Sequence, residues 1–480
     1  MWERLFKKKD IEQLLREANN EQAGFKRTLS VWHLVALGIG AIVGTGIFVI
    51  TGQAAADYAG PALTISFVIS AVACVLAGLC YAEFASMLPV SGSVYSYSYA
   101  TIGEGLAWFI GWTLILEYLF ACASVSVGWS GYMLSLLDRW NIHLSPLLSR
   151  PTFDHLPTGE WVLTGSLLNF PAFFILTIIT LFLLGGIRQT AWINNLVVII
   201  KVSVILLFVA FGISYIDPGN YVPYIPENSG QFGVYGWSGI LRGAGVVFYA
   251  YLGFDALSTT AQETRHPQRD MPRAILISLS ICALLYVMVT FVLTGIVNYK
   301  ELHTDAPIAL AIDRAGEGLS WLGPFIKIGA IAGLSSVILV MMLGQSRIYY
   351  AIAKDGLLPK VLARVTPQGV PRNATLLAGL LSTLFASLFP LHVLTEMVSM
   401  GTMMAFCIVC VAVVVLRHTR PDLSRPFKVP FVPYLPLLGA LICMAQMISL
   451  PGSTWTRLGV WTVVGCMVYI FYGRKHSTLS

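Results

Sequence analysis

The chain has 480 residues, 56% of them hydrophobic and only 11% charged, with a net charge of +6 and a mean hydropathy of +0.74. A soluble domain carries roughly 25% charged residues, so the composition excludes one and points to an all-α protein embedded in a membrane. The eight cysteines all fall within apolar runs, which excludes the exposed-loop disulfide framework of a secreted domain. Cys407 and Cys410 form a C-x-x-C; without partner residues it reads as two buried thiols on one helix face.

Residues 1–28 are polar and charged, with no cleavage site before the first apolar run, so that run is expected to stay as a span. Residues 11–18 fit either a short amphipathic helix on the membrane surface or a solvated helix. A spanning helix needs about 20 mostly apolar residues. Twelve stretches qualify: 31–56, 62–88, 106–136, 170–186, 192–215, 237–261, 274–297, 322–345, 374–390, 393–416, 433–450 and 455–472. With the N-terminus placed in the cytoplasm, 22 of the 30 Lys and Arg fall in inside segments and five in outside segments. Positive charge collects in cytoplasmic loops, so both termini are expected inside. The long connections are 137–169 and 298–321 outside and 346–373 inside. The layout is a cytoplasmic segment 1–30, spans 1–5 within 31–216, spans 6–10 within 237–416, spans 11–12 within 431–472, and a cytoplasmic end 473–480.

No G-x-x-x-x-G-K-[ST], H-E-x-x-H or G-x-S-x-G occurs, so ATP-driven pumping, metalloprotease chemistry and serine hydrolysis lack their motifs. No catalytic residues, metal ligands, cofactor or nucleic-acid partner are expected.

Span 1 contains GAIVGTGIF at 40–48, and span 6 contains GAGVVFYAYLGFDALS at 243–258. Each glycine weakens a helix by about 1 kcal/mol relative to alanine. An unpaired backbone group in hydrocarbon costs several kcal/mol. Interrupted helices at matching places in two five-helix halves point to a transporter with an inverted repeat. A half-helix N-terminus suits a carboxylate, and freed carbonyls accept an ammonium, so an amino acid is a natural fit. The competing reading is close helix packing through Gly40 and Gly44.

GAIVGTGIF, YAEFASMLPVSGSVYSYSYATIGE, GWTLILEY, GFDALSTTAQETRHPQRDMPRAI and SRIYYAIAKDGLLPKV together resemble the amino acid–polyamine–organocation transporters. The likeness runs over about residues 25–430 and is strongest to the bacterial form of the cationic amino acid transporter subfamily. It implies a LeuT-like fold, two inverted five-helix repeats plus two extra helices, working as a proton-coupled permease for cationic or small neutral L-amino acids at the plasma membrane. The sequence departs from the family in its long 137–169 segment, in Gln262-Glu263 where two acids are frequent, and in His266 where Asn is frequent.

Carried over by motif, Ile42, Thr45 and Gly46 should hold the substrate carboxylate, and the backbone of Tyr249, Ala250 and Leu252 its amine. Phe248 and Phe254 are read either as gate and pocket wall or as ordinary aromatics. Lys201 lies ten residues into span 5. Burial disfavours a charge, so a lysine at this depth can release its proton. The resemblance implies that its amine bridges spans 1 and 5 where sodium sits in sodium-coupled relatives, coupling protons to substrate. Glu117 and Asp255 are mid-membrane acids and so candidates for function. Each fits a partner for a cationic side chain, a proton relay or a structural pairing. Leu334 is expected to face the substrate side chain, and Ser335 and Ser336 keep a sodium site open. Arg242 and Lys327 read as snorkelling or outer-vestibule charges. The expected partners are the amino acid, protons and membrane lipids, with a small membrane-protein partner left open. An amino acid/polyamine exchanger, a sodium symporter, a channel and a non-transporting sensor are the competing functions.

Overall fold

The computed structural model describes residues 7, 29–87, 95, 98–99, 103–156, 160–185, 191–255, 257, 264–366 and 369–478, with backbone only at 191–194. The segment 11–18 and the Gln262-Glu263 pair lie outside them. Each of the twelve apolar stretches forms helix: α1 Val31–Ile42, α2 Leu63–Met87, α3 Glu104–Arg139, α4 Phe170–Leu184, α5 Ala191–Gly212, α6 Gly236–Val247, α7 Pro267–Ile296, α8 Leu322–Lys354, α9 Arg372–Leu388, α10 Leu391–Thr419, α11 Tyr434–Ser449 and α12 Gly452–Val468. By length and composition alone, seven helical runs among the described residues are long and apolar enough to cross a membrane, and three shorter helices are apolar.

Helices dominate because hydrocarbon offers no partner for a backbone N–H or C=O, and the α-helix satisfies them within the segment. Several run past the expected ends. α8 continues to Lys354, well into the predicted inside connection, and α7 begins at Pro267. Hydropathy marks where the bilayer stops, whereas the backbone pattern continues into water at no such boundary. At 1.5 Å per residue, the 36 residues of α3 reach about 54 Å, well beyond the roughly 30 Å apolar core.

α3 is the central helix, packed along α8, α9 and α10. α2 packs along α7, α3 along α8 and α4 along α9, while the turns after α1 and α6 meet each other. Thus α2, α3 and α4 each touch the helix five places on, and for α1 and α6 the contact is made by the turns that follow them. Large exposed apolar side chains line the periphery on α4 (Leu181), α5 (Ile199), α9 (Leu380), α11 (Leu441) and α12 (Val460). The 137–169 connection carries a two-stranded hairpin, β1 Phe153–His155 against β2 Trp161–Leu163, and 298–321 carries a short helix, Pro307–Arg314. All eight cysteines are free thiols, and Cys407 donates to Ala440 O.

Candidate functional site

α1 stops at Ile42, and Val43 is extended with φ −73° and ψ 95°. Helical turns resume at Gly46 and run to Ala59. α6 stops at Val247, makes one 3-10 turn over Phe248–Tyr251, and opens at Leu252, where ψ is 144°. Gly253 follows with φ +113°, a region that L side chains rarely enter. The two openings are pressed together. A Cβ on Gly46 would lie 2.4 Å from Ala250 Cα, and one on Gly253 would lie 2.9 Å from the Ala41 carbonyl. The glycines that let the two openings touch are Gly46 and Gly253, whereas a Cβ on Gly44 would meet Val337 at an ordinary 3.4 Å.

The carbonyls freed by the openings find specific partners. Lys201, fully buried, reaches from α5 and donates through Nζ to Gly40 O and to Val43 O, the latter at 2.9 Å. Its stem packs on α8, where a Cβ on Gly333 would sit 3.3 Å from it. Tyr286 of α7 places its hydroxyl 2.8 Å from Ile42 O and 2.6 Å from Ala250 O. One hydroxyl proton serves one carbonyl at a time, so Tyr286 is shared between the two openings. Tyr132 of α3 donates to Phe48 O, and Thr51 to Gly46 O.

Between the openings lies a small cavity. Ile42, Thr45, Gly46, Tyr249 and Leu252 line it, with Ala121 and Val125 of α3 and Val337 and Met341 of α8 closing the other side. It leaves about 10 Å³ for the centre of a water molecule, roughly one water's worth. Thr45 Oγ1 is buried there without a hydrogen-bond partner, and Tyr249 Oη pairs with Ser124 Oγ at 2.8 Å. Ala250 stands behind Gly46.

The other sequence candidates stand outside this lining. Phe248 and Phe254 both pack on Phe406 of α10, at 5.4 and 5.1 Å between ring centroids, and Phe254 also meets Tyr81. Glu117 and Asp255 are buried and near enough to feel each other's charge. Asp255 accepts from Tyr118 Oη at 2.9 Å. On α8 the wall comes from Val337 and Met341, while Leu334 is buried nearby. Ser335 Oγ accepts from Trp129 Nε1 and donates to Ile331 O. Ser336 Oγ is buried without a partner. Arg242 donates to Ser449 O and Lys327 to Ser135 O, so both cations are held by helix carbonyls.

Tyr286, Tyr132, Val337 and Met341 escaped the sequence reading. A tyrosine inside an apolar span needs a partner for its hydroxyl, which is a signal, but the partner is visible only in the fold.

Two opened helices meeting around a buried cavity suit a carrier site, and comparison with known proteins gives the family. Residues 29–472 match the amino acid permease family. The chain belongs to that family. It is 44% identical over 478 residues to the branched-chain amino acid permease BcaP of Bacillus subtilis and 42% over 477 residues to the methylthioribose transporter of the same species, covering 99% of each chain. It is also 37% identical to cationic amino acid transporter 4 of Mus musculus, over 84% of this chain and 62% of that one. The protein is thus a multi-pass membrane permease of the amino acid–polyamine–organocation superfamily and not an enzyme.

Proposed function

We propose that this permease takes up small aliphatic L-amino acids together with protons, across the plasma membrane, by alternating access. Lys201 carries the coupling. Its ammonium occupies the Gly40 and Val43 carbonyls, so when the lysine gives up its proton those carbonyls lose their cation and the α1 opening loses its tie to α5. Protonation is thereby linked to the shape of the substrate site. Bound substrate would set its carboxylate at Thr45 and Gly46, where the helix resumes and the first N–H groups face the opening, and its amine on carbonyls around Tyr249, Ala250 and Leu252.

The side-chain end of the cavity is apolar: Ala121, Val125, Leu252, Val337 and Met341. That lining favours a branched aliphatic side chain, in line with the branched-chain amino acids for which BcaP is named. A cationic substrate would need Glu117 or Asp255 to turn into the cavity, and Tyr118 holds Asp255 elsewhere. Methylthioribose would need several hydroxyl partners, of which the lining offers few. A sodium ion would compete with the Lys201 ammonium for the same carbonyls. The architecture that suits this cycle is a pair of inverted five-helix repeats, α1–α5 and α6–α10, with α11 and α12 added and both ends cytoplasmic. The contact of each early helix with the one five places on supports that arrangement.

The test is uptake of labelled leucine, arginine and methylthioribose into proteoliposomes under an inward proton or an inward sodium gradient. Leucine should accumulate with the proton gradient, and Lys201→Ala should abolish accumulation. Arginine accumulation in preference to leucine overturns the substrate assignment. Sodium-driven uptake that survives Lys201→Ala overturns the coupling and directs attention to Ser335 and Ser336.

A further inference from the structure

Away from the substrate site, α12 does not close fully against α3. A cavity of about 260 Å³ separates them. Its floor is Gly105 and Phe109, its far wall Gly465 and Cys466, and Trp108 and Trp112 stand along its length with Tyr469. Beside the cavity the two helices meet closely, since Trp112 lies on Gly465, where a Cβ would come within 2.4 Å of the indole.

The aromatic wall is rigid. Trp108 Nε1 donates to Gly465 O, Trp112 Nε1 to Trp461 O, and Trp461 Nε1 to Trp112 O. The rings stack in series, Trp108 on Trp112 at 5.5 Å and Trp112 on Trp461 at 4.8 Å. Every indole N–H is used on a helix carbonyl, so the cavity meets ring faces and not donors. Around it Val463 and Met467 of α12, and Ile470 and Phe471 in the turn that follows, face the outside, as lipid-facing residues should.

At one end of this apolar slot is a guanidinium. Arg474 lines the cavity and makes no ion pair among the described residues. The nearest acid on α3, Glu104, is already committed: its carboxylate accepts from Tyr99, Tyr469 and Ser477 at 2.9, 2.8 and 2.5 Å. Lys475 follows Arg474 and is exposed. An apolar slot open to the bilayer, ending in unpaired positive charge at the membrane surface, matches one kind of molecule.

We propose that this groove binds an anionic phospholipid, with one acyl chain between α3 and α12 and its phosphate on Arg474, assisted by Lys475. The occupant is a lipid of the leaflet on the side of the chain's two ends, where the anionic surface and the Lys and Arg excess both belong. The acyl chain gains packing against fixed ring faces where bilayer lipid would otherwise leave a void, and the headgroup gains a guanidinium whose hydrogen-bond fork has no partner among the described residues. The lipid would sit beside the segment that ties α12 to the rest of the fold, since Thr478 N donates to Asp355 O at 3.1 Å just past it.

The full-length permease, purified from bilayers containing equal phosphatidylglycerol and phosphatidylcholine, is examined by native mass spectrometry. The wild type should retain phosphatidylglycerol over phosphatidylcholine. Arg474→Gln should lower that preference roughly five-fold, as loss of one surface cation does, without lowering the total of retained lipid to nothing. Cys466→Phe, which fills the slot and leaves the charge, should lower retention of both lipids. Equal retention of the two lipids by the wild type, an unchanged preference in Arg474→Gln, or a co-purifying protein helix in place of lipid would each overturn the assignment.

Discussion

Lys201 and Tyr286 divide the work of satisfying an opened helix. One supplies three donors to two carbonyls, the other a single hydroxyl within reach of two. Removing the Tyr286 hydroxyl leaves a buried carbonyl without its partner, which costs about 1–3 kcal/mol. The same carbonyls, Ile42 O and Ala250 O, flank the place assigned to the substrate amine. Tyr286→Phe is therefore expected to fold and insert normally while its uptake rate at low substrate falls about ten-fold or more. Wild-type rates with reduced yield would mean that the hydroxyl only stabilises the fold. Lys201 was legible in the sequence because a lysine ten residues into an apolar run has few cheap explanations. Tyr286 was not, because a tyrosine is tolerated in many apolar helices and its two partners come from helices far away in the chain. Glu117 and Asp255 were flagged for the same reason as Lys201. Their depth could be read from position, but whether they face the cavity depends on helix rotation, which needs the neighbours.

The openings themselves are the part of the fold most readable from residues. GAIVGTGIF and the Gly253-containing run put conformationally free residues where a regular helix would hold, and both become openings. Helix ends were less readable, since α7 and α8 carry on into segments that hydropathy assigns to loops. Gly253 offers the sharper test of the element. Its φ of +113° disfavours any side chain, and a Cβ would meet the Ala41 carbonyl at 2.9 Å. Gly253→Ala is expected to force the α6 opening away from α1, with strain on the order of 1–3 kcal/mol. Uptake should be lost while the thermal midpoint in detergent drops by only a few degrees. Retained uptake would show that the two openings do not need to touch.

For the whole molecule, the small cavity means that substrate entry requires parts of the structure to separate, and one contact across that boundary is sensitive to pH. His303 in the 298–321 connection pairs at 2.9 Å with Asp57, which sits in the last turn of the run that follows the α1 opening. Alongside it, Gln53 donates to Asp305, and Gly52 has the Leu302 carbonyl close by. The hydrogen bond that His303 donates to the Asp57 carboxylate holds the imidazole protonated to a higher pH than usual. A raised histidine contributes its full stabilisation below its ordinary value near 6.5, and loses it as the pH climbs through the raised one. The clasp is thus strongest in acid and weakens as the imidazole loses its proton. The histidine side chain is 68% exposed, so solvent screens the pair and its worth is at most about 1 kcal/mol. In a chain of this size that amounts to no more than about 2 °C in Tm. The wild type should lose that increment as the pH rises above the ordinary histidine value of about 6.5, and His303→Gln and Asp57→Asn should each remove the difference. If both variants keep the wild-type pH dependence, the clasp does not hold the outer connection, and some other titrating pair governs it.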